Sequence, residues 1–214
     1  MFVTGVYGSG KTQFAKRYAI ENQVAYISFD EIFDYTHAGN QSKAILATLP
    51  SEFVIDAIPF DMKHGWDDFI DYELSHPVAV VCVYCPDKRE WLQRVREKRI
   101  NRILFGYSGF KRPVVMHSVL ARRLWLEVSR WPGGFLKRVW GFLKTWFSKV
   151  KHARIAVADI DEKMHLADYR RFFQGKLPAF REFKNVQYFD SVAETFTSEQ
   201  EMLDRIGYKY FPFE

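Results

Sequence analysis

Disulfide chemistry has almost nothing to work with in this chain: its 214 residues hold two cysteines, Cys82 and Cys85. Their C-x-x-C spacing lies inside the apolar run Val78-Ala-Val-Val-Cys-Val-Tyr-Cys85. That context reads as a strand with packing cysteines, and no second pair completes a zinc site. A reducing compartment fits. No uncharged apolar run approaches the ~18 residues of a bilayer-spanning helix. Strand-like sequence at residues 1–4 runs straight into a glycine-rich motif, so no secretory leader is expected. The six histidines (37, 64, 76, 117, 152 and 165) show no ligand spacing, so no structural metal is implied.

Acidic residues are nearly missing from one long stretch. Residues 111–154 carry 11 Lys or Arg and one acid, Glu127, while the remainder is net −5. A basic module is thus set in an acidic frame and should face something anionic: phosphates, nucleic acid or a membrane surface. Aromatics, by contrast, are plentiful at 17% of residues, and they must be buried or presented to a partner.

Strand patterns fall at 1–4, 24–28, 52–57, 78–84 and 154–158, with helical patterns at 11–21, 30–47, 65–75 and 86–102. Their alternation predicts an α/β fold, a doubly wound, parallel, five-stranded sheet covered on both faces. Ligands then gather at the carboxyl ends of the strands. Glycines and prolines break the rhythm between 103 and 151, which reads as a helical basic insertion within one domain spanning 1–214. The tail suggests a helix near 161–174, a short strand at 186–190 and a helix at 198–206.

The motif Gly5-Val-Tyr-Gly8-Ser9-Gly10-Lys11-Thr12 matches G-x-x-x-x-G-K-[ST]. Glycines let the backbone curl so that successive N–H groups converge on one phosphate. The helix beginning near Lys11 adds its positive end. Lys11 then meets the β- and γ-phosphates, and the Thr12 hydroxyl ligates Mg²⁺. ATP or GTP with Mg²⁺ is the cofactor set this chemistry requires.

Two carboxylates stand at strand ends. Asp30 follows the second strand, where it would accept a proton from an attacking hydroxyl or cap the helix expected near Glu31. Asp56 ends the third strand as Phe53-Val-Ile-Asp56, a pattern like the Walker B element that holds Mg²⁺. Its alternative is a turn residue before Pro59.

Taken together, Gly5 to Thr12, Asp30 and Asp56 resemble the small P-loop kinases of the nucleoside/nucleotide kinase superfamily, with polynucleotide kinase, gluconate kinase, chloramphenicol phosphotransferase and the zeta toxins as relatives. The resemblance covers about residues 1–105, including the run from Val83 through Pro86 to Arg99. It implies that Asp30 contacts the acceptor hydroxyl and that arginines of the following helix or lid reach the transferred phosphoryl group. Arg94, Arg96, Arg99 and Arg102 lie on that helix, with Lys111 and Arg112 beyond; Arg99, Arg102 and Arg112 are the candidates for charge stabilisation. The insertion departs from a short family lid, so the acceptor does not carry over.

A wheel of residues 135–151 places Phe135, Leu136, Val139, Trp140, Phe142, Leu143, Trp146, Phe147 and Val150 on one arc of roughly 160°. Lysines, Arg138 and small polar residues fill the rest, without an acid. Such a helix suits the surface of an anionic membrane, or buries its apolar face in the protein's own core. Nucleic acid fits less well, because the aromatics share one apolar face instead of interleaving along a basic groove. The expectation is a cytoplasmic Mg²⁺-dependent phosphotransferase acting on a small-molecule or glycan hydroxyl, peripheral at the inner membrane face if the helix lies there. A polynucleotide 5′-hydroxyl or nucleotide kinase, and a nucleotide-dependent switch or assembly factor at the membrane, are the alternatives.

Overall fold

In a computed structural model, the residues described are 1–33, 41–56, 66–105, 141, 143–148, 150–151, 164, 166–172, 180 and 182–207, with Asp30 and 101–105 described by backbone alone. The chain divides into two compact units, Met1–Leu92 with Glu162–Glu214, and Gln93–Asp161.

The first unit is built on a sheet of six strands among the described residues: β1 (Phe2–Gly5), β2 (Ala25–Ser28), β3 (Phe53–Asp56), β4 (Val80–Tyr84), β5 (Val186–Asp190) and β6 (Thr195–Thr197). Their order is β2-β3-β1-β4-β5-β6, parallel except for the last pair. The helices are α1 (Lys11–Asn22), α2 (Phe29–Ile32), α3 (Gln41–Ala47), α4 (Trp66–Ser75), α5 (Lys88–Phe105) and α6 (Glu199–Ile206). The expected alternation therefore appears, with bounds within two or three residues of the patterns for most elements.

Residue alternation sorts the core into two layers. On one face Val3, Val54, Val81, Val83 and Phe189 pack under Phe14, Ala15 and Ala19 of α1. On the other, Phe2 and Phe53 meet α4: Phe2 lies edge-on to Phe69 at 5.1 Å, and Phe53 to Tyr72 at 6.2 Å. Strands β3 and β4 are buried along their whole length, as sheets covered on both sides require.

Three expectations need correction. The sheet is neither five-stranded nor all parallel among the described residues. Residues 186–190, expected as a short tail strand, pair in parallel beside β4, with Val80 opposite Val186. Asp190 then turns the chain, its Oδ1 accepting the Val192 and Ala193 amides at 2.8 and 3.0 Å, and the short β6 returns antiparallel. The strand expected at 154–158 lies outside the described residues. The single helix expected over 30–47 is also interrupted. Helix α2 ends at Ile32, and Phe33 is extended (φ −90°, ψ 123°), its buried ring stacked on Phe29 at 4.7 Å. Finally, Asp30 is no N-cap: α2 starts at Phe29 behind Ser28, so Asp30 lies inside the first turn.

Local signals account for the other helix starts. The Asp87 carboxylate accepts the Arg89 and Glu90 amides at 2.7 and 3.0 Å and opens α5. Ser198 and Glu201 form a reciprocal capping box at α6, which stops at Gly207 in a left-handed conformation. Glu73 ties the tail to α4 through its Oε1, which accepts the Lys184 and Asn185 amides at 3.0 and 3.1 Å.

Candidate functional site: a glycine-built turn at the switch point

The strand order places the turn after β1 at a particular spot. From β1 the chain leaves toward β2, whereas from β4 it leaves toward β5 on the other side. The crevice at the carboxyl ends of β1 and β4 is the topological switch point, where open α/β sheets bind ligands.

The turn itself is made by glycines in conformations that other residues resist. Gly5, Gly8 and Gly10 have φ of 150°, 84° and 96°. Gly5 pairs with Val83 across the sheet, and a Cβ there would stand 2.2 Å from the Val83 carbonyl oxygen and 2.7 Å from Ser9 Oγ. Glycine is therefore the only residue that lets the loop leave β1 so close to β4. The buried Ser9 donates its amide to the Val6 carbonyl at 3.0 Å, and α1 starts at once, with Phe14 N–H donating to Gly10 O at 3.0 Å. Among the described residues no side chain caps this helix, and no acid occupies its first turn. Helix amino-termini of this kind suit an anion. Lys11 and Thr12, both half-buried, follow directly.

One contact not foreseen in the sequence fixes the loop from behind. Trp91 of α5 is fully buried, and its indole N–H donates to the Tyr7 carbonyl at 2.9 Å. The signal was a large apolar side chain in the first turn of a heavily charged helix, but the partner sits 84 residues away.

Asp56 ends β3, directly beside β1 in the sheet. Because Val54 belongs to the α1 face, Asp56, two residues on, points to the same side. It is 2% exposed. Oδ2 accepts the Tyr26 hydroxyl at 3.2 Å, while Oδ1, also buried, has no hydrogen-bond partner among the described residues. Burial pushes the Tyr26 phenol above its ordinary range, and the Asp56 charge adds to that, so Tyr26 remains a donor. Lys16 of α1 lies over the Tyr26 ring at 5.2 Å. Tyr26 was not legible as a site residue, since only the strand order brings β2 beside β3.

A buried carboxylate with one oxygen unclaimed calls for a cation or a water. Hard oxygen donors suit Mg²⁺, so Asp56 fits the metal role together with Thr12. Below the turn, burial pushes the Cys82 thiol well above its usual range, against the opposing pull of the Lys11 charge. Both cysteines are buried thiols outside any disulfide, and Cys82 stays a packing residue.

The remaining candidates are placed unevenly. Asp30 lies in α2 just past β2, described by backbone alone. Arg99 is exposed on α5 in the second unit, Arg102 belongs to the same helix by its backbone, and Arg112 lies outside the described residues. No group of three or more His, Cys, Asp or Glu suited to a metal occurs among the described residues. No helix among them is long and apolar enough to cross a membrane. No family model and no curated protein matches the chain, so a function must be argued from these residues themselves.

Proposed function

We propose that this protein is a Mg²⁺- and nucleotide-dependent phosphotransferase of the P-loop kinase type. The observation that carries the reading is the β1–α1 turn: three glycines at positive φ, leading into an uncapped helix, at the switch point of the sheet. That arrangement cradles a phosphate chain without side-chain interference.

Roles for the residues follow from charge and position. The loop amides and Lys11 hold the phosphates of ATP or GTP. Thr12 and Asp56 hold Mg²⁺, which when bound neutralises charge on the phosphate oxygens. Asp30 takes the proton of the acceptor hydroxyl as its oxygen bonds to the γ-phosphorus and the bond to the β-phosphate oxygen breaks. Arginines of α5 or the segment after it, Arg99, Arg102 or Arg112, offset charge on the transferred group. The acceptor is a hydroxyl-bearing small molecule or glycan.

Isothermal calorimetry tests the first step. The wild-type chain should take up MgATP or MgGTP, and Lys11→Ala should abolish uptake. Uptake that survives in Lys11→Ala, or none in the wild type, refutes the proposal. If nucleotide binds but turnover stays at background with every hydroxyl acceptor offered, the protein is a nucleotide-dependent switch instead.

A further inference from the structure

Residues 141–151 are helical at every described position. Leu143, Trp146, Phe147 and Val150 recur at i, i+3, i+4 and i+7, forming one apolar stripe. None is buried: Phe147 is 66% exposed and the other three are half-buried. A core-facing stripe looks different. On α5, Trp91, Leu92 and Val95 follow the same spacing and are at most 8% exposed. Opposite the stripe, Lys144, Ser148 and Lys151 are exposed, and Thr145 turns its hydroxyl back onto the Gly141 carbonyl at 2.9 Å. No acid lies on this helix.

We propose that this helix is a docking surface for an anionic lipid bilayer. It would lie in the interface, with Phe147 and its neighbours at the headgroup–acyl boundary and the lysines on lipid phosphates. Charge selects the partner. The helix sits within a segment of 11 basic residues and one acid, while the rest of the chain is net −5. A uniformly negative surface attracts the first and repels the second, so binding localises to this segment. A nucleic-acid site would interleave aromatics with basic residues, whereas here the two classes occupy separate faces. This inference is independent of the phosphotransferase reading.

Vesicle sedimentation with the full chain tests it. The protein should pellet with vesicles of phosphatidylglycerol and phosphatidylcholine in equal parts, remain in solution with phosphatidylcholine alone, and be released by high salt. Lys144→Ser with Lys151→Ser should weaken binding by about 30-fold, from the contribution of each lysine near an anionic surface. Phe147→Ser should weaken it further. All three side chains are exposed, so the fold should survive; nucleotide uptake measured in parallel checks this and keeps the two proposals apart. Equal pelleting with both vesicle types, no pelleting with either, pelleting unchanged in the triple variant, or tighter binding to a single-stranded oligonucleotide than to vesicles would each overturn the inference.

Discussion

Replacing Trp91 with phenylalanine isolates the contact that holds the β1–α1 turn from behind. Phenylalanine keeps an aromatic ring in the pocket and removes the donor that reaches the Tyr7 carbonyl at 2.9 Å. Loss of a buried hydrogen bond costs about 1–3 kcal/mol. The smaller ring leaves a void worth roughly 1 kcal/mol more, so urea unfolding should show a loss of about 2–4 kcal/mol. Nucleotide affinity should respond separately. If the indole biases the loop toward its binding geometry by about 1–1.5 kcal/mol, the Kd for MgATP rises by roughly 5- to 13-fold. Glu73→Gln is the matched control. It weakens two partly buried hydrogen bonds to the Lys184 and Asn185 amides, at the amino ends of β4 and β5, the opposite end of the sheet from the turn. It should lose comparable stability and leave Kd unchanged. Calorimetry and urea titration on both variants decide the matter. Equal loss of affinity in the two, or an unchanged Kd in Trp91→Phe despite lowered stability, refutes the loop-pinning argument.

Gly5→Ala should destabilise by roughly 2–6 kcal/mol, combining a positive φ with a clash against the Val83 carbonyl oxygen 2.2 Å away; a urea midpoint within error of wild type would contradict the described path of the loop. Asp56→Asn should raise the Mg²⁺ concentration needed for turnover by at least tenfold while leaving metal-free nucleotide binding alone, and an unchanged Mg²⁺ titration would remove Asp56 from the metal site. Asp30→Asn should abolish transfer and spare nucleotide binding; normal turnover would end its role as base. Ser198→Ala should lower stability by about 1 kcal/mol through loss of the α6 cap. The Ser198 amide first, and its hydroxyl second, hold the Glu201 carboxyl below its usual range. The alanine variant keeps the amide and loses the hydroxyl's share, which is complete at neutral pH and fades as pH falls through the folded value, so the difference between wild type and Ser198→Ala, read by urea titration, should shrink slightly in acid.

Contiguous chemistry was legible and dispersed chemistry was not. Residues 5–12 could be read directly, because the turn, its lysine and its threonine are neighbours along the chain, and the strand and helix around them have strong periodicity. The α6 cap was within reach for the same reason. Tyr26 beside Asp56, and Trp91 behind Tyr7, depend on strand order and on helix placement, which local pattern does not specify. The break at Phe33 escaped because helical periodicity continued across it while its backbone turned extended.

By itself, the sequence determined an α/β chain, a glycine-built turn between β1 and α1, and a helix with two chemically distinct faces, since each is a property of residues within a few turns or a single strand. Only the tertiary structure decided that residues 186–190 are the neighbours of β4, that β6 closes an antiparallel edge, and that a buried Asp56 oxygen has no hydrogen-bond partner among the described residues. Those facts follow from which strands share hydrogen bonds, and long-range pairing is set by the packing of the whole sheet rather than by any one segment.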